Sequence, residues 1–293
     1  MTPATRLTVG ILQLDPEAAL SLESLPGLLE PLAEAGAQVL LLPEFWNAAF
    51  EDGALSRGAL ASEEELAPLL AFSAARPGLL LCPGSLPLRL GDGRAPDLVN
   101  RSWLMQAGRI VARYDKLHLF GPMGEPARVR PGGAPCVADA QIGGAALRVG
   151  LAICYDLRFP ELFRDLAARG AELILLPAQW PLARRLPFRH LLRARAMENG
   201  VAVVGVNRSG RSGAVDFLGG SAAYGPGDDQ VYLEMEEGES AVFSIDLAAV
   251  RQVRAQADAV ADRRYRLQPP TVDTTCPVDG EVTKARNEKG RID

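Results

Sequence analysis

Residues 148–163 read RVGLAICYDLRFPELF, and this stretch decides how the rest of the chain is interpreted. An apolar run over 147–153 predicts a buried strand, and the run meets Cys154 where the chain turns polar. Pro160 then opens a periodic segment, which predicts a helix. A strand followed closely by a helix is typical of α/β proteins. A thiol at that junction is either a small core residue or a nucleophile.

The same alternation of β-like and helical segments recurs along the chain. Apolar runs such as LTVGILQL, AQVLLLPE, AELILLPA and VAVVGVN predict strands that are covered on both faces. Helices are predicted over Leu22–Ala35, Glu63–Arg76, Pro160–Ala168 and Phe188–Asn199. We therefore predict an α/β fold with sheets inside and helices outside. No repeat or linker divides residues 6–255, which we predict to be one domain, followed by a polar extension over 256–293 that is mobile or crosses a dimer interface.

Composition and charge argue against several classes of protein. The 293 residues carry 31 basic and 36 acidic side chains without a basic arm, so we expect no nucleic-acid partner. No leader-like segment and no run long enough to span a bilayer is visible, so we expect no membrane partner and a cytoplasmic location. The four scattered cysteines form no CxxC pattern, and His118 and His190 are isolated. We therefore expect no metal and no cofactor, and we interpret His118 as a packed residue.

Two charged residues end predicted strands in the same way as Cys154. Glu44 follows AQVLLLP, and Lys116 follows GRIVARYD. Because a buried carboxylate or ammonium is costly unless it is paired or used, one pocket that holds all three groups would explain their placement. Each charged residue also has a structural alternative: Glu44 could open a loop, and Lys116 could cover apolar surface with its stem.

The three groups would form a coherent hydrolytic mechanism. A nearby ammonium favours the thiolate of Cys154, and a carboxylate can take the thiol proton. Lys116 and the backbone N–H of Tyr155 would stabilise the oxyanion that forms on a carbonyl substrate. Glu44, as general base and general acid, would protonate the leaving nitrogen and later activate water.

Three motifs taken together resemble the catalytic signatures of the nitrilase superfamily, the carbon–nitrogen hydrolases. They are LLPEFW (41–46), YDKLHLF (114–120) and GLAICYDLRFPELFR (150–164), in the family's order Glu, Lys, Cys. The resemblance runs from about Thr8 to Val250 and includes the VGVNRSG strand. It implies a single-domain, four-layer αββα sandwich that pairs as a homodimer or forms a higher homo-oligomer. It also implies that Glu44, Lys116 and Cys154 are catalytic.

The resemblance implies roles for further residues. Glu125 matches a second glutamate that positions substrate and lysine in many members, although a loop glutamate is the alternative. The segments YDLRFPELFR and PAQWPLARRLPFRHLLRARAMEN resemble the branch that includes omega-amidases, which implies that Trp180 lines the acyl pocket. Candidates for holding a substrate carboxylate are three arginines: Arg158, Arg184 and Arg189.

Within that family we expect a small-molecule amidohydrolase that cleaves a carboxylated amide through a cysteine thioester, as omega-amidases do. The same triad would also serve cleavage of an N-carbamoyl group or of deaminated glutathione. A non-catalytic binding protein is a further alternative, against which the retained triad argues. One departure concerns the acyl pocket: Gly219-Gly220-Ser221 stands where many relatives have Gly-His-Ser.

Overall fold

The structure is a computed structural model that describes residues 6–15, 20–48, 53–142, 145–212, 215–217, 219–236 and 238–264. Most of the predicted extension over 256–293, including Cys276, lies outside these residues. The boundary between residues 255 and 256 therefore stays a prediction.

The elements are short, as expected for a layered α/β protein. The strands are β1 (Arg6–Leu12), β2 (Val39–Leu41), β3 (Leu80–Cys82), β4 (Ser85–Arg89), β5 (Leu98–Gln106), β6 (Arg109–Asp115), β7 (Val129–Arg130), β8 (Cys136–Ile142), β9 (Ala145–Leu151), β10 (Leu173–Ala178), β11 (Ala202–Asn207), β12 (Arg211–Ser212), β13 (Val215–Asp216), β14 (Ala222–Tyr224), β15 (Val231–Glu234) and β16 (Ser240–Asp246). The helices are α1 (Leu25–Glu34), α2 (Ala54–Arg57), α3 (Ala67–Ala74), α4 (Pro160–Ala168), α5 (Arg185–Asn199) and α6 (Leu247–Gln256).

The strands form two large sheets. The first has the order β16-β1-β2-β3-β5-β4, with β6 and β7 also paired to β5, and the second has the order β15-β14-β11-β10-β9-β8. Strands β1, β2 and β3 run parallel in the first sheet, and β9, β10 and β11 run parallel in the second. Strands β12 and β13 form a separate antiparallel ribbon.

The two sheets pack face to face. Val39 and Leu41 of β2 share an apolar cluster with Val149 and Leu151 of β9 in the other sheet. Leu40 lies between them in sequence and joins a different cluster, formed with buried residues of α1 and α3. Because successive strand side chains point to opposite faces, β2 is covered on one face by the second sheet and on the other by helices.

Helix α5 covers the outer face of the second sheet. A β-carbon at Gly205 of β11 would lie 2.6 Å from Cδ1 of Leu192 and 3.1 Å from Cζ of Phe188. Glycine is therefore needed where α5 approaches the strand backbone. Together with α1 and α3 on the first sheet, this arrangement gives the four layers αββα and confirms the predicted fold.

The predicted helices are present, with small changes at their ends. The helix over Pro160–Ala168 has the predicted bounds. The helix predicted from Phe188 is α5, and it begins at Arg185 instead. Pro187 lies in its first turn, where no backbone N–H is needed within the helix, so the proline does not delay the helix start. The segment predicted from Glu63 begins with a 3₁₀ turn over Glu63–Leu66 before α3. No helix among the described residues is long and apolar enough to cross a bilayer.

Candidate active site

Strands of both sheets end at one cavity. Glu44 and Lys116 follow β2 and β6 of the first sheet, whereas Cys154 and Gln179 follow β9 and β10 of the second. The backbone N–H of Glu44 donates to the carbonyl oxygen of Ala178 across the two sheets, at 3.4 Å. The carboxyl ends of strands are the usual place for ligands in α/β sheets.

Lys116 lies between two carboxylates. Its Nζ is 2.9 Å from Oε1 of Glu44 and 3.0 and 2.9 Å from the two oxygens of Glu125. Asn100 donates from Nδ2 to Oε1 of Glu44 at 2.7 Å and to Oε1 of Glu125 at 3.4 Å. All four side chains are buried. Two ionised carboxylates around one ammonium would leave one negative charge uncompensated.

The cluster shifts the pKa values of its members. Burial raises the pKa of Glu44 above its usual value of 4.5, and the carboxylate of Glu125 adds to the effect while Lys116 opposes it. Burial disfavours the charged ammonium of Lys116, but Glu44 and Glu125 outweigh it and hold the pKa of Lys116 well above its usual value. Lys116 therefore stays charged at neutral pH, and Glu44 takes up a proton more readily than an ordinary carboxylate does.

Cys154 opens a 3₁₀ turn over Cys154–Arg158, three residues after β9 ends at Leu151. Its φ of 45° is uncommon for a residue other than glycine. Its Sγ donates to the carbonyl oxygen of Gln179 at 3.7 Å. The strand predicted over 147–153 therefore extends two residues too far, because β9 ends at Leu151 and the chain leaves the sheet to form the turn.

The surroundings of Cys154 favour the neutral thiol over the thiolate. Burial and the carboxylate of Glu44 raise the pKa of Cys154 well above its usual value, and Lys116 opposes them only in part. Lys116 lowers the pKa of Cys154 in the predicted direction, but burial and the carboxylate of Glu44 outweigh this effect, so the resting group is a thiol. Formation of a thiolate at Cys154 therefore requires a proton acceptor.

The cavity has a volume of about 210 Å³. Seven of the residues singled out in the sequence line it: Glu44, Lys116, Glu125, Cys154, Tyr155, Arg158 and Trp180. Apolar walls come from Phe120, Met123 and Phe217. The structure thus brings the reactive groups together at the base of a largely apolar cavity.

Trp180 is fixed in the wall of the cavity by three hydrogen bonds. Its backbone N–H donates to Oδ1 of Asn207 at 2.7 Å, and Nδ2 of Asn207 donates to the Trp180 carbonyl oxygen at 2.8 Å. The indole Nε1 donates to the carbonyl oxygen of Arg184 at 2.9 Å. The guanidinium carbon of Arg158 lies 5.1 Å from the Trp180 ring centre, within the range of a cation–π contact.

The three candidate arginines differ in position. Arg158 and Arg184 line the cavity and are exposed. Arg189 is buried, donates to Oε1 of Glu236 at 2.7 Å, and also donates to the carbonyl oxygen of Met235. Arg189 does not line the cavity. It instead binds the segment of Met235 and Glu236 to α5, so it is excluded as a residue that binds a substrate carboxylate.

Sequence reasoning missed three residues that support the site: Asn100, Gln179 and Asn207. The sequence could have indicated Gln179, because LLPAQ at 175–179 resembles LLPE at 41–44 and likewise ends a predicted strand with a polar residue. Its backbone N–H donates to Oε2 of Glu44 at 3.0 Å. Asn100 is a buried amide inside the strand LVNRSWLMQ, a placement that requires partners.

The histidines do not take part in a metal site in the described part of the chain. The ring of His118 stacks on Phe159 with centroids 3.6 Å apart, and its Nδ1 lies 2.8 Å from Oδ1 of Asp156. His190 is exposed on α5. Within the described ranges, no group of three or more His, Cys, Asp or Glu residues could hold a metal ion.

Comparison with known proteins identifies the class that this fold and site define. The family model described as carbon-nitrogen hydrolase matches residues 8–255. The chain belongs to the carbon–nitrogen hydrolase family and is an enzyme that hydrolyses carbon–nitrogen bonds other than peptide bonds, which confirms the predicted family.

The comparisons also show particular similarities. The chain is 32% identical over 232 residues to a 2-oxoglutaramate amidase of Paenarthrobacter nicotinovorans, which covers 78% of this chain and 79% of that protein. It is 36% identical over 194 residues to a deaminated glutathione amidase of Yersinia enterocolitica, which covers 61% of this chain and 65% of that protein. A solved structure of a mutant Nesterenkonia sp. AN1 amidase matches with a TM-score of 0.71 at 28% identity, covering 90% of this chain and 96% of that one. That structure shows the acetamide moiety of fluoroacetamide added covalently at its active site cysteine.

Proposed function

We propose that this enzyme is an omega-amidase-like amidohydrolase that releases ammonia from a small carboxylated amide through a thioester on Cys154. One observation carries the proposal. The buried cluster of Glu44, Lys116 and Glu125 lies beside Cys154 at the base of a cavity of about 210 Å³.

Acylation begins with attack of the Cys154 Sγ on the amide carbonyl carbon. The thiol proton passes to Glu44, whose raised pKa suits it to hold a proton briefly. The oxyanion that forms is stabilised by the charge of Lys116 and by the backbone N–H of Tyr155. The carbon–nitrogen bond then breaks as Glu44 returns the proton to the leaving nitrogen, and ammonia departs.

Deacylation repeats the sequence with water. Glu44 takes a proton from a water molecule, whose oxygen attacks the thioester carbon. The carbon–sulfur bond breaks, the carboxylic acid leaves, and Glu44 returns the proton to the sulfur of Cys154. The high pKa of the resting thiol favours this return.

Glu125 serves to keep Lys116 in place while Glu44 changes charge. Glu44 is neutral whenever it carries the transferred proton, so its hold on the ammonium weakens at each step. Glu125 contacts Nζ through both oxygens and also accepts from the backbone N–H of Phe120 at 2.6 Å. These contacts hold Lys116 in place when Glu44 carries the proton.

The charge distribution supports a substrate with an anionic end. With both carboxylates ionised, the cluster around Lys116 would have an excess negative charge and would repel a substrate carboxylate from the base of the cavity. Arg158 and Arg184 are exposed cations on the cavity lining and would attract it. A short substrate would then place its distal amide at Cys154. The similarity to a 2-oxoglutaramate amidase supports a keto-acid amide of this length.

Ammonia release from a substrate panel tests the proposal. We expect kcat/KM for 2-oxoglutaramate or 2-oxosuccinamate to exceed that for propionamide by at least about tenfold, because the remote carboxylate contributes binding energy in the transition state. We also expect kcat/KM for glutamine and asparagine to be lower, because their α-ammonium would lie near the cationic Arg158 and Arg184. Arg158→Gln and Arg184→Gln show which arginine binds the substrate carboxylate. The variant that lacks this arginine should lose the preference for keto-acid amides over propionamide. Equal kcat/KM for propionamide and the keto-acid amides in the wild type would contradict the substrate assignment.

Deaminated glutathione is a second candidate, favoured by the similarity to a deaminated glutathione amidase. The cavity argues for the shorter substrate, because about 210 Å³ is below the usual range of ligand pockets. Adding deaminated glutathione and a carbamoyl amino acid to the panel separates these activities. A higher kcat/KM for either would replace the keto-acid amide as the substrate.

We also propose that the enzyme works in the cytoplasm as a homodimer or a higher homo-oligomer. The resemblance to the nitrilase superfamily supports the self-association. Light scattering after gel filtration would report the mass of the assembly. A monomer at assay concentration would contradict the self-association.

A further inference from the structure

One buried carboxylate lies beneath the turn that carries Cys154. Asp156 is fully buried, and its Oδ2 accepts from the Ile153 backbone N–H at 2.9 Å and from the Tyr114 hydroxyl at 2.7 Å. Its Oδ1 accepts from the His118 backbone N–H at 3.0 Å and lies 2.8 Å from His118 Nδ1. Both carboxylate oxygens therefore have two partners each.

These partners belong to two different parts of the site. Tyr114 and His118 stand two residues before and two residues after Lys116, so both flanks of the lysine are tied to Asp156. Asp156 itself lies two residues after Cys154. We propose that Asp156 is a positioning residue that sets Sγ of Cys154 against Nζ of Lys116, a role that rests on the proposed function for the reaction it serves.

The backbone of the turn shows why such a device is needed. The φ of 45° at Cys154 is sparsely populated by residues with a side chain and persists only where the surroundings hold it. Asp156 makes two hydrogen bonds with Ile153, the residue before Cys154. Its carboxylate accepts from the Ile153 N–H, and its own N–H donates to the Ile153 carbonyl oxygen at 3.0 Å. Cys154 is thus enclosed within a ring closed by Asp156.

The residues that flank Lys116 are also held in place. Burial and the carboxylate of Asp156 raise the pKa of Tyr114 well above its usual value, so its hydroxyl stays a donor. The same hydroxyl accepts from the Leu117 N–H at 3.4 Å. The ring of His118 stacks on Phe159, the residue that follows the Cys154–Arg158 turn. Two contacts besides Asp156 therefore hold this geometry.

Asp156→Asn tests the proposal with little change of shape. The substitution replaces one carboxylate oxygen by an amide nitrogen, which cannot accept a hydrogen bond. The groups that contact that oxygen therefore lose their acceptor. We expect kcat to fall by about 100-fold with KM within about threefold of wild type, because misplacement of reacting groups lowers the rate more than binding. Urea unfolding identifies the conditions in which the variant is folded. A folded Asp156→Asn variant with kcat within about threefold of wild type would overturn the proposal.

Tyr114→Phe provides a second variant that keeps the aromatic ring and the carboxylate. We expect kcat to fall by about tenfold, and the loss in the Tyr114→Phe/Asp156→Asn double variant not to exceed that of Asp156→Asn, because both act through one contact. If Asp156→Asn does not fold, Tyr114→Phe alone decides, and an unchanged kcat overturns the proposal. Asp165→Asn is the matched control, since Asp165 is an exposed α4 carboxylate paired with Arg169, and its kcat should be unchanged.

The rate at which iodoacetamide labels Cys154 separates this inference from the substrate assignment. Labelling needs no amide substrate, but it needs the thiol to transfer its proton to Glu44. We expect labelling of folded Asp156→Asn to slow by at least about tenfold, whereas a purely structural role would leave the rate of the folded protein unchanged. If no keto-acid amide is hydrolysed, the proposed function fails while the labelling rates still decide the role of Asp156.

Discussion

Replacing Glu44 with glutamine removes the proposed proton carrier and keeps nearly the same side-chain volume. Oε1 of Glu44 accepts from Lys116 at 2.9 Å and from Asn100 at 2.7 Å, and Oε2 accepts from the Gln179 N–H at 3.0 Å. Glutamine offers one oxygen, so its amide nitrogen would face a donor on one side. Without the base, both acylation and deacylation lack a proton acceptor. We expect kcat to fall at least about 1000-fold, or roughly 4 kcal/mol in the barrier.

The assay is ammonia release under saturating substrate, combined with urea unfolding to select conditions in which the variant is folded. Glu63→Gln is the matched control, because it makes the same chemical change at a carboxylate that pairs with Arg113 outside the cavity. Its kcat should be unchanged. A folded Glu44→Gln variant with kcat within about tenfold of wild type would refute the assignment of Glu44 as proton carrier.

Three further predictions follow from charges in the structure. Lys116→Ala should lower kcat by more than about 100-fold in folded protein, because the oxyanion loses its cation; near-normal ammonia release would remove Lys116 from the mechanism. The acidic limb of the kcat profile should have a midpoint above 4.5, because burial raises the pKa of Glu44 and the base is lost as pH falls through that pKa; a midpoint below 4.5 would contradict this. Arg113 and Trp103 help lower the pKa of Glu63 to about 2, so its stabilising effect is present above 4.5 and lost as pH falls toward 2. Glu63→Gln should therefore cost about 1 kcal/mol in urea unfolding at pH 7 and less at pH 3; an equal cost at both would count against the ion pair.

The fold and the placement of three candidate residues in one cavity could be predicted because their signals are local. Apolar runs followed directly by Glu44, Lys116 and Cys154 placed three reactive groups near strand ends, and the structure brings them to one cavity. The helix over Pro160–Ala168 was found because proline, apolar period and a glycine stop agree along the sequence.

The properties of the site that depend on distant segments could not be predicted. The raised pKa of Cys154 results from burial and from a carboxylate 110 residues (154 − 44) away in sequence. Arg189 looked equivalent to Arg184 in the sequence, but its contact with Glu236 exists only after β15 packs near α5. The local sequence pattern predicts which residues end a strand or begin a helix. Tertiary packing determines the pKa values of their side chains and the groups that they contact.

The central claim is that hydrolysis passes through a thioester on Cys154. Rapid acid quench during turnover of 2-oxoglutaramate, followed by intact-mass spectrometry and peptide mapping, measures this intermediate directly. We expect an acyl adduct on Cys154 in the wild type and, in folded Cys154→Ala, neither an adduct nor ammonia release. Ammonia release that persists in Cys154→Ala, or an adduct that maps to another residue, would contradict the account.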